Sequence, residues 1–179
     1  ATSLGVFESN DGGETWAKRM EGMKEVLMVI SLDIDPQQPQ TLYAGTSGGV
    51  YKSVDGAKTW RKINSGLVSP EVLKSSRSLG VTRIKVDPFN PDRVYIATLV
   101  GLYQTRNGGE SWVRSGESLP DQMLIELLLD PQQAGVMYVG HREGVSRSED
   151  GGMTWETRNE GLTNINIRAL AISAIDSQT

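Results

Sequence analysis

An eight-residue motif that returns four times constrains this chain more than any other feature. Its first two copies read Ser9-Asn10-Asp11-Gly12-Gly13-Glu14-Thr15-Trp16 and Ser53-Val54-Asp55-Gly56-Ala57-Lys58-Thr59-Trp60. The other two read Thr105-Arg106-Asn107-Gly108-Gly109-Glu110-Ser111-Trp112 and Ser148-Glu149-Asp150-Gly151-Gly152-Met153-Thr154-Trp155. Successive tryptophans stand 44, 52 and 43 residues apart. A period of roughly 40–50 residues means one supersecondary unit repeated, each copy burying its apolar face on the next.

The similarity extends upstream of each box. An apolar strand ends in Asp35-Pro36, Asp87-Pro88 or Asp130-Pro131. Proline cannot donate to a ladder, so this pair punctuates the strand end. Two alternating strands follow, as in Thr41-Leu42-Tyr43-Ala44-Gly45-Thr46 and Gly49-Val50-Tyr51-Lys52-Ser53. Each unit therefore predicts four short strands: a (residues 81–87, for example), b (93–98), c (101–105) and d (111–115). No 3.6-residue period persists, although residues 68–77 could form a short helical turn. Four-stranded units at a fixed period predict an all-β fold, a β-propeller of antiparallel blades. The expected blade boundaries lie near 21–25, 64–80, 116–122 and 159–166.

The box occupies the c–d hairpin. Asp11, Asp55, Asn107 and Asp150 are expected to bond backbone N–H groups two residues on, as in an Asx turn. Glycine supplies positive φ at low cost. Trp16, Trp60, Trp112 and Trp155 should anchor strand d by burying their rings. A calcium loop fails on ligands, because each box has one conserved carboxylate at most and hard cations want six or more oxygens.

These boxes resemble the Asp-box, or bacterial-neuraminidase (BNR), repeat. Thr-Leu-Tyr-Ala-Gly-Thr (41–46), Gly-Val-Tyr-Lys-Ser-Val-Asp-Gly (49–56) and Gly-Gly-Met-Thr-Trp (151–155) are similar to the branch holding photosystem II assembly factors, sortilin-type propellers and xyloglucanases. Ala57, Thr105 and Asn107 depart from the pattern but should keep the turn. The resemblance implies more than four blades, hence an arc of a larger ring completed by other blades or a second chain. The alternative is a closed four-bladed ring, in which a C-terminal strand (167–175) completes a blade with the first c–d hairpin. The resemblance also implies an extracytoplasmic or cell-envelope location.

The b–c turns and d–a loops share the rim opposite the boxes, where propellers usually bind ligands. The 52-residue spacing comes from an expansion at 67–80, which carries Lys74 and Arg77. Extra loop length on a scaffold often carries function. His141, the single histidine, and Arg142 lie in a b–c turn, where a lone histidine is expected to be solvated. Arg83 and Arg168 lie near the starts of a strands and could bind carboxylates bidentately. Glycoside hydrolysis needs two carboxylates across a cleft. Asp33 and Glu126 are the best candidates, because they interrupt apolar a strands, but neither makes a convincing pair.

Composition narrows the classes. With a net charge of −4 and 22% charged residues, the chain lacks the basic stripe that nucleic acid requires. It has no cysteine and one histidine, so neither a metal site nor a cofactor is expected. No apolar run approaches the ~20 residues that span a bilayer, so direct membrane insertion is not expected. The sequence thus points to a non-catalytic scaffold for a protein partner, by resemblance an assembly or stability factor of a membrane-associated complex. A glycoside-active or carbohydrate-binding propeller is the alternative.

Overall fold

The computed structural model describes residues 1–23, 28–67, 79–119 and 122–175, and these form strands and turns with no helix. The first repeat contributes a two-stranded hairpin, β1 (Phe7–Glu8) and β2 (Ala17–Lys18). Three four-stranded antiparallel sheets follow. The first has β3 (Val29–Ile34), β4 (Leu42–Thr46), β5 (Gly49–Ser53) and β6 (Arg61–Lys62). The second has β7 (Val81–Val86), β8 (Val94–Thr98), β9 (Gly101–Thr105) and β10 (Val113–Ser115). The third has β11 (Glu126–Leu129), β12 (Met137–His141), β13 (Gly144–Ser148) and β14 (Glu156–Thr157). Strand order within each sheet follows chain order, the plain a-b-c-d meander the repeats predict.

The core lies between sheets. Val94 and Ile96 of β8 pack with Tyr43, Val50 and Ile63 of the first sheet. Tyr95 and Ala97, their neighbours along the same strand, pack with Leu127, Met137 and Val139 of the third. Alternation sends odd and even residues to opposite faces. Every residue of β8 and β9 is therefore buried. A third cluster joins Val6 and Met23 of the first repeat to Val29, Ala44, Tyr51 and Trp60.

Inner a strands of successive sheets also touch. Ile84 N donates to Ser31 Oγ at 3.1 Å and Val86 N to Asp33 Oδ2 at 2.8 Å. Thr82 Oγ1 donates to the Leu124 carbonyl at 2.7 Å.

The expected C-terminal strand (167–175) forms no ladder, and β1 and β2 pair only with each other among the described residues. The segment nonetheless lies where a next a strand would lie. An added Cβ on Gly140 would meet Ile167 Cγ2 at 2.6 Å, as one on Gly45 would meet Val81 Cγ1 at 2.6 Å. Gln132 Nε2 donates to the Ala174 carbonyl as Gln37 Nε2 does to that of Pro88. An antiparallel strand needs a b partner, and no described residue supplies one. Among the described residues, then, the ladder that the closed four-bladed alternative requires between this segment and the first hairpin is not formed.

Candidate functional site

On one rim each box closes a hairpin through the same bonds. In the second, Ser53 Oγ donates to Asp55 Oδ1 at 2.8 Å and accepts Ala57 N at 2.9 Å. Asp55 Oδ1 also accepts Thr59 N, and Oδ2 accepts the Thr59 hydroxyl at 2.6 Å. The carboxylate thus reaches four residues on, rather than the two expected of a simple Asx turn. The Thr59 hydroxyl, then the Thr59 N–H and Ser53 hydroxyl, hold the Asp55 carboxyl at about 2. The equivalent Thr15 and Ser9 bonds hold Asp11 well below the usual carboxylate range. At Asp150 slight burial opposes the shift, yet Thr154 and Ser148 still keep its carboxyl at about 2.

Asn107 does the same work without charge. Its Oδ1 accepts Ser111 N and its Nδ2 donates to Ser111 Oγ. Ala57 keeps the turn at φ +66°, the left-handed region that glycine usually fills. Each Asp-Pro aspartate shares this rim: Asp35, Asp87 and Asp130 each accept two backbone N–H groups from the residues that follow. Gly56, Gly108 and Gly151 tie the boxes to those a–b turns through backbone bonds. The box residues are thus occupied in turn geometry.

The box tryptophans act across seams. Trp60 Nε1 donates to the Arg19 carbonyl at 3.2 Å, and Trp112 Nε1 to that of Ile63 at 2.7 Å. Trp155 Nε1 instead donates to Gly152 of its own box. Trp60, Trp112 and Trp155 are buried as expected, but Trp16 is 62% exposed. Burial of the ring needs a preceding d strand, and no described residue places one before the first hairpin.

The opposite rim carries the sequence candidates. Thr46 and Thr98 close their b–c turns alike: each hydroxyl donates to the carbonyl three residues on and accepts the N–H two residues on. His141 replaces that threonine, with Glu143 N donating to its Nδ1 at 3.2 Å. Gln122 Nε2 lies 3.0 Å from the same nitrogen. Nδ1 is therefore the acceptor, and Nε2 carries the proton toward Ser146 Oγ, 3.0 Å away. His141 is 2% exposed, which overturns the expectation of a solvated loop residue. It belongs to β12, and both ring nitrogens are engaged. Burial, against the pull of Glu143, lowers its pKa and keeps the ring neutral.

Arg83 does bind a carboxylate bidentately, but within the chain. Its Nε and Nη2 donate to Glu126 Oε1 and Oε2 at 2.7 and 3.0 Å, across the seam between the second and third sheets. Asp33 accepts Val86 N and lies 3.8 Å from Lys85 Nζ. Burial pushes the Asp33 carboxyl up, against Val86 N–H and Lys85. Asp33 stands near the end of β3 and Glu126 at the start of β11. Each is already held by the second sheet, Asp33 by Val86 N–H and Lys85 and Glu126 by Arg83, so the two are not a free pair across a cleft.

Arg142 and Arg168 remain exposed. The Ile167 N–H donates to the His141 carbonyl at 3.2 Å, which brings their two chain positions together on the rim. Lys74, Arg77 and most of the 67–80 expansion lie outside the described residues. Two side chains unremarked in the sequence also build this rim. Asn64 and Asn159, each four residues past a box tryptophan, clamp their b–c turns: Oδ1 accepts Val50 N or Val145 N, and Nδ2 donates to the carbonyl of Gly48 or Glu143. Recurrence at that offset was the available signal.

Among the described residues no group of three or more His, Asp or Glu side chains could hold a metal ion, and no helix is long and apolar enough to cross a membrane.

No family model matches the chain. A xyloglucanase of Acetivibrio thermocellus is 33% identical over an alignment covering 42% of this chain and 11% of the enzyme. A Paenibacillus xyloglucanase is 33% identical as well, covering 42% and 9%. The chain thus spans about a tenth of the length of these curated relatives. Among solved structures, an ancestral GH74 enzyme superposes with a TM-score of 0.69 at 21% identity, over 88% of this chain and 22% of the enzyme. YCF48 bound to D1 peptide superposes with a TM-score of 0.64 at 20% identity, over 89% of this chain and 50% of YCF48. The chain is a run of β-propeller blades, alike in fold to the GH74 enzymes and to YCF48.

Proposed function

We propose that this chain is a non-catalytic scaffold of Asp-box repeats, part of a larger ring, whose b–c rim holds a protein partner as an assembly or stability factor does. One observation carries the reading: the charged groups of the inner strands are already paired. Glu126 is bound by Arg83, and Asp33 by Val86 N–H and Lys85. Arg142 and Arg168 stay exposed on the rim, with the exposed Glu143 beside Arg142, and their guanidinium groups are suited to the carboxylates of a peptide. Lys74 and Arg77 would add to them. YCF48, similar in fold, has been seen with a peptide.

The test is selection from a random displayed peptide library, with binding measured by fluorescence anisotropy. Acidic peptides should be enriched, and the double substitution Arg142→Ala, Arg168→Ala should weaken them by at least about tenfold. Peptides that bind the double variant unchanged would overturn the site.

A second reading, glycoside-active or carbohydrate-binding, is favoured by the xyloglucanase relatives. Release of reducing sugar from xyloglucan by the purified chain, abolished by Asp33→Asn or Glu126→Gln, would replace the scaffold reading.

A further inference from the structure

Asn107 sets the third box apart in reactivity as well as in charge. It is the chain's only asparagine followed by glycine. With no Cβ to hinder it, the backbone nitrogen of Gly108 can attack the amide carbon of Asn107. The other boxes hold aspartate at this position. With carboxyls at about 2, Asp55 and Asp150 are ionised at neutral pH and resist such an attack. Asn107 is exposed, so water reaches it, whereas Gly108 is buried.

The closed turn engages both reacting groups elsewhere. Gly108 N donates to the Asp92 carbonyl at 2.9 Å. Asn107 Oδ1 accepts the Thr105 hydroxyl at 2.7 Å and Ser111 N at 3.0 Å, and Nδ2 donates to Ser111 Oγ at 2.9 Å. The Gly108 carbonyl accepts the Tyr43 hydroxyl at 3.2 Å and Lys52 Nζ at 2.9 Å, both from the first sheet. An added Cβ on Gly109 would meet Ile63 Cδ1 at 2.4 Å. The turn is therefore pinned by its own a–b turn on one side and by the neighbouring sheet on the other.

We propose that Asn107 is a site of spontaneous modification, latched while the seam between the first and second sheets is closed and reactive when it opens. In the open turn Gly108 N forms a bond to Asn107 Cγ, and the Cγ–Nδ2 bond breaks. The Gly108 proton departs with that nitrogen as ammonia. Water then opens the cyclic imide. Cleavage of the new N–Cγ bond leaves aspartate, the residue that the other three boxes use. Cleavage at the Asn107 backbone carbonyl leaves isoaspartate, whose main chain runs through Cγ and is one carbon longer. The aspartate product takes the Ser111 N–H and hydroxyl as Asp55 takes those of Thr59, so the box recloses. The isoaspartate product lengthens the turn and keeps Gly108 N from the Asp92 carbonyl.

Incubation of the 179-residue chain at mildly alkaline pH tests it. Peptide mass spectrometry reads the exchange of ammonia for water as a mass gain at position 107, and isoaspartyl methyltransferase labelling separates the two products. Modification should run at least about tenfold faster in urea than in buffer, because it tracks the open population. In buffer, Ser111→Ala and Lys52→Met each remove one latch bond and should each raise the rate about fivefold. Equal rates in urea and buffer would overturn the latch, and so would a buffer rate that neither substitution raises. No mass gain at 107 in urea would overturn the site itself. The isoaspartate fraction should melt below the Asn107→Asp variant, and equal melting would overturn the difference between the two products.

Discussion

Trp112 and Trp16 occupy the same place in the same motif, so replacing each by alanine isolates what the seam contributes. A tryptophan side chain buries about 200 Å², which at about 25 cal/mol per Å² is worth about 5 kcal/mol when covered completely. Trp112 is 2% exposed and its indole N–H donates to the Ile63 carbonyl at 2.7 Å. Allowing for partial collapse around the cavity, Trp112→Ala should destabilise by about 3–5 kcal/mol. Trp16, at 62% exposed, scales to about 2 kcal/mol at most by the same area coefficient. A Trp112→Phe change keeps most of the ring and removes the N–H, leaving the Ile63 carbonyl without that donor, for about 1–2 kcal/mol. Urea denaturation followed by far-ultraviolet circular dichroism gives all three values. Equal losses at positions 16 and 112 would refute the account of seams as the sites of burial. Equal losses for Trp112→Phe and Trp112→Ala would refute the share assigned to the ring.

Three further outcomes follow from the geometry. Asp55→Asn should be milder than Asp55→Ala, because Asn107 already holds its turn as an amide. With a folded carboxyl near about 2, below the unfolded value of about 3.9, Asp55 stabilises fully above the latter and loses that contribution as pH falls through the former. Acid denaturation of Asp55→Asn should be correspondingly less steep. His141 has a lowered folded pKa, so the native state is favoured above about 6.5 and loses stability as pH falls below it. His141→Thr, restoring the residue used at 46 and 98, should flatten thermal melting points measured between neutral and mildly acidic pH. Arg83→Ala should cost about 1–3 kcal/mol by stranding the buried Glu126 carboxylate. Arg83→Lys should not restore it fully, because the pair is bidentate. A double-mutant cycle with Glu126→Gln in urea should give a coupling of the same sign, and zero coupling would remove the pair from the seam.

The strands were legible because their signals are local. Alternation and Asp-Pro punctuation in the second sheet predict 81–87, 93–98, 101–105 and 111–115, and the strands run Val81–Val86, Val94–Thr98, Gly101–Thr105 and Val113–Ser115. What faces what was less legible, because it depends on neighbouring repeats. The spacing of Arg83 and Glu126 along the chain carries no hint that they meet, since the meeting depends on how two sheets stack. His141 was misplaced for a related reason. Its loop-like neighbours Arg142 and Glu143 suggested solvent, whereas the threonines at 46 and 98 mark that position as a buried turn residue. The exposure of Trp16 could not be read from its own box, which differs little from the others. The C-terminal segment has strand-like composition and lies along the third sheet, but a ladder needs a partner and composition does not supply one.

Because the four tryptophans mark one position per repeat, the intrinsic ultraviolet emission of this chain reports on contacts between sheets rather than on the sheets. Trp112 lies in a dry joint and should emit to the blue; Trp16, in contact with water, should emit to the red. Any neighbouring blade that covers Trp16 would shift its light toward that of Trp112. The protein thus carries its own optical gauge of how many joints are closed.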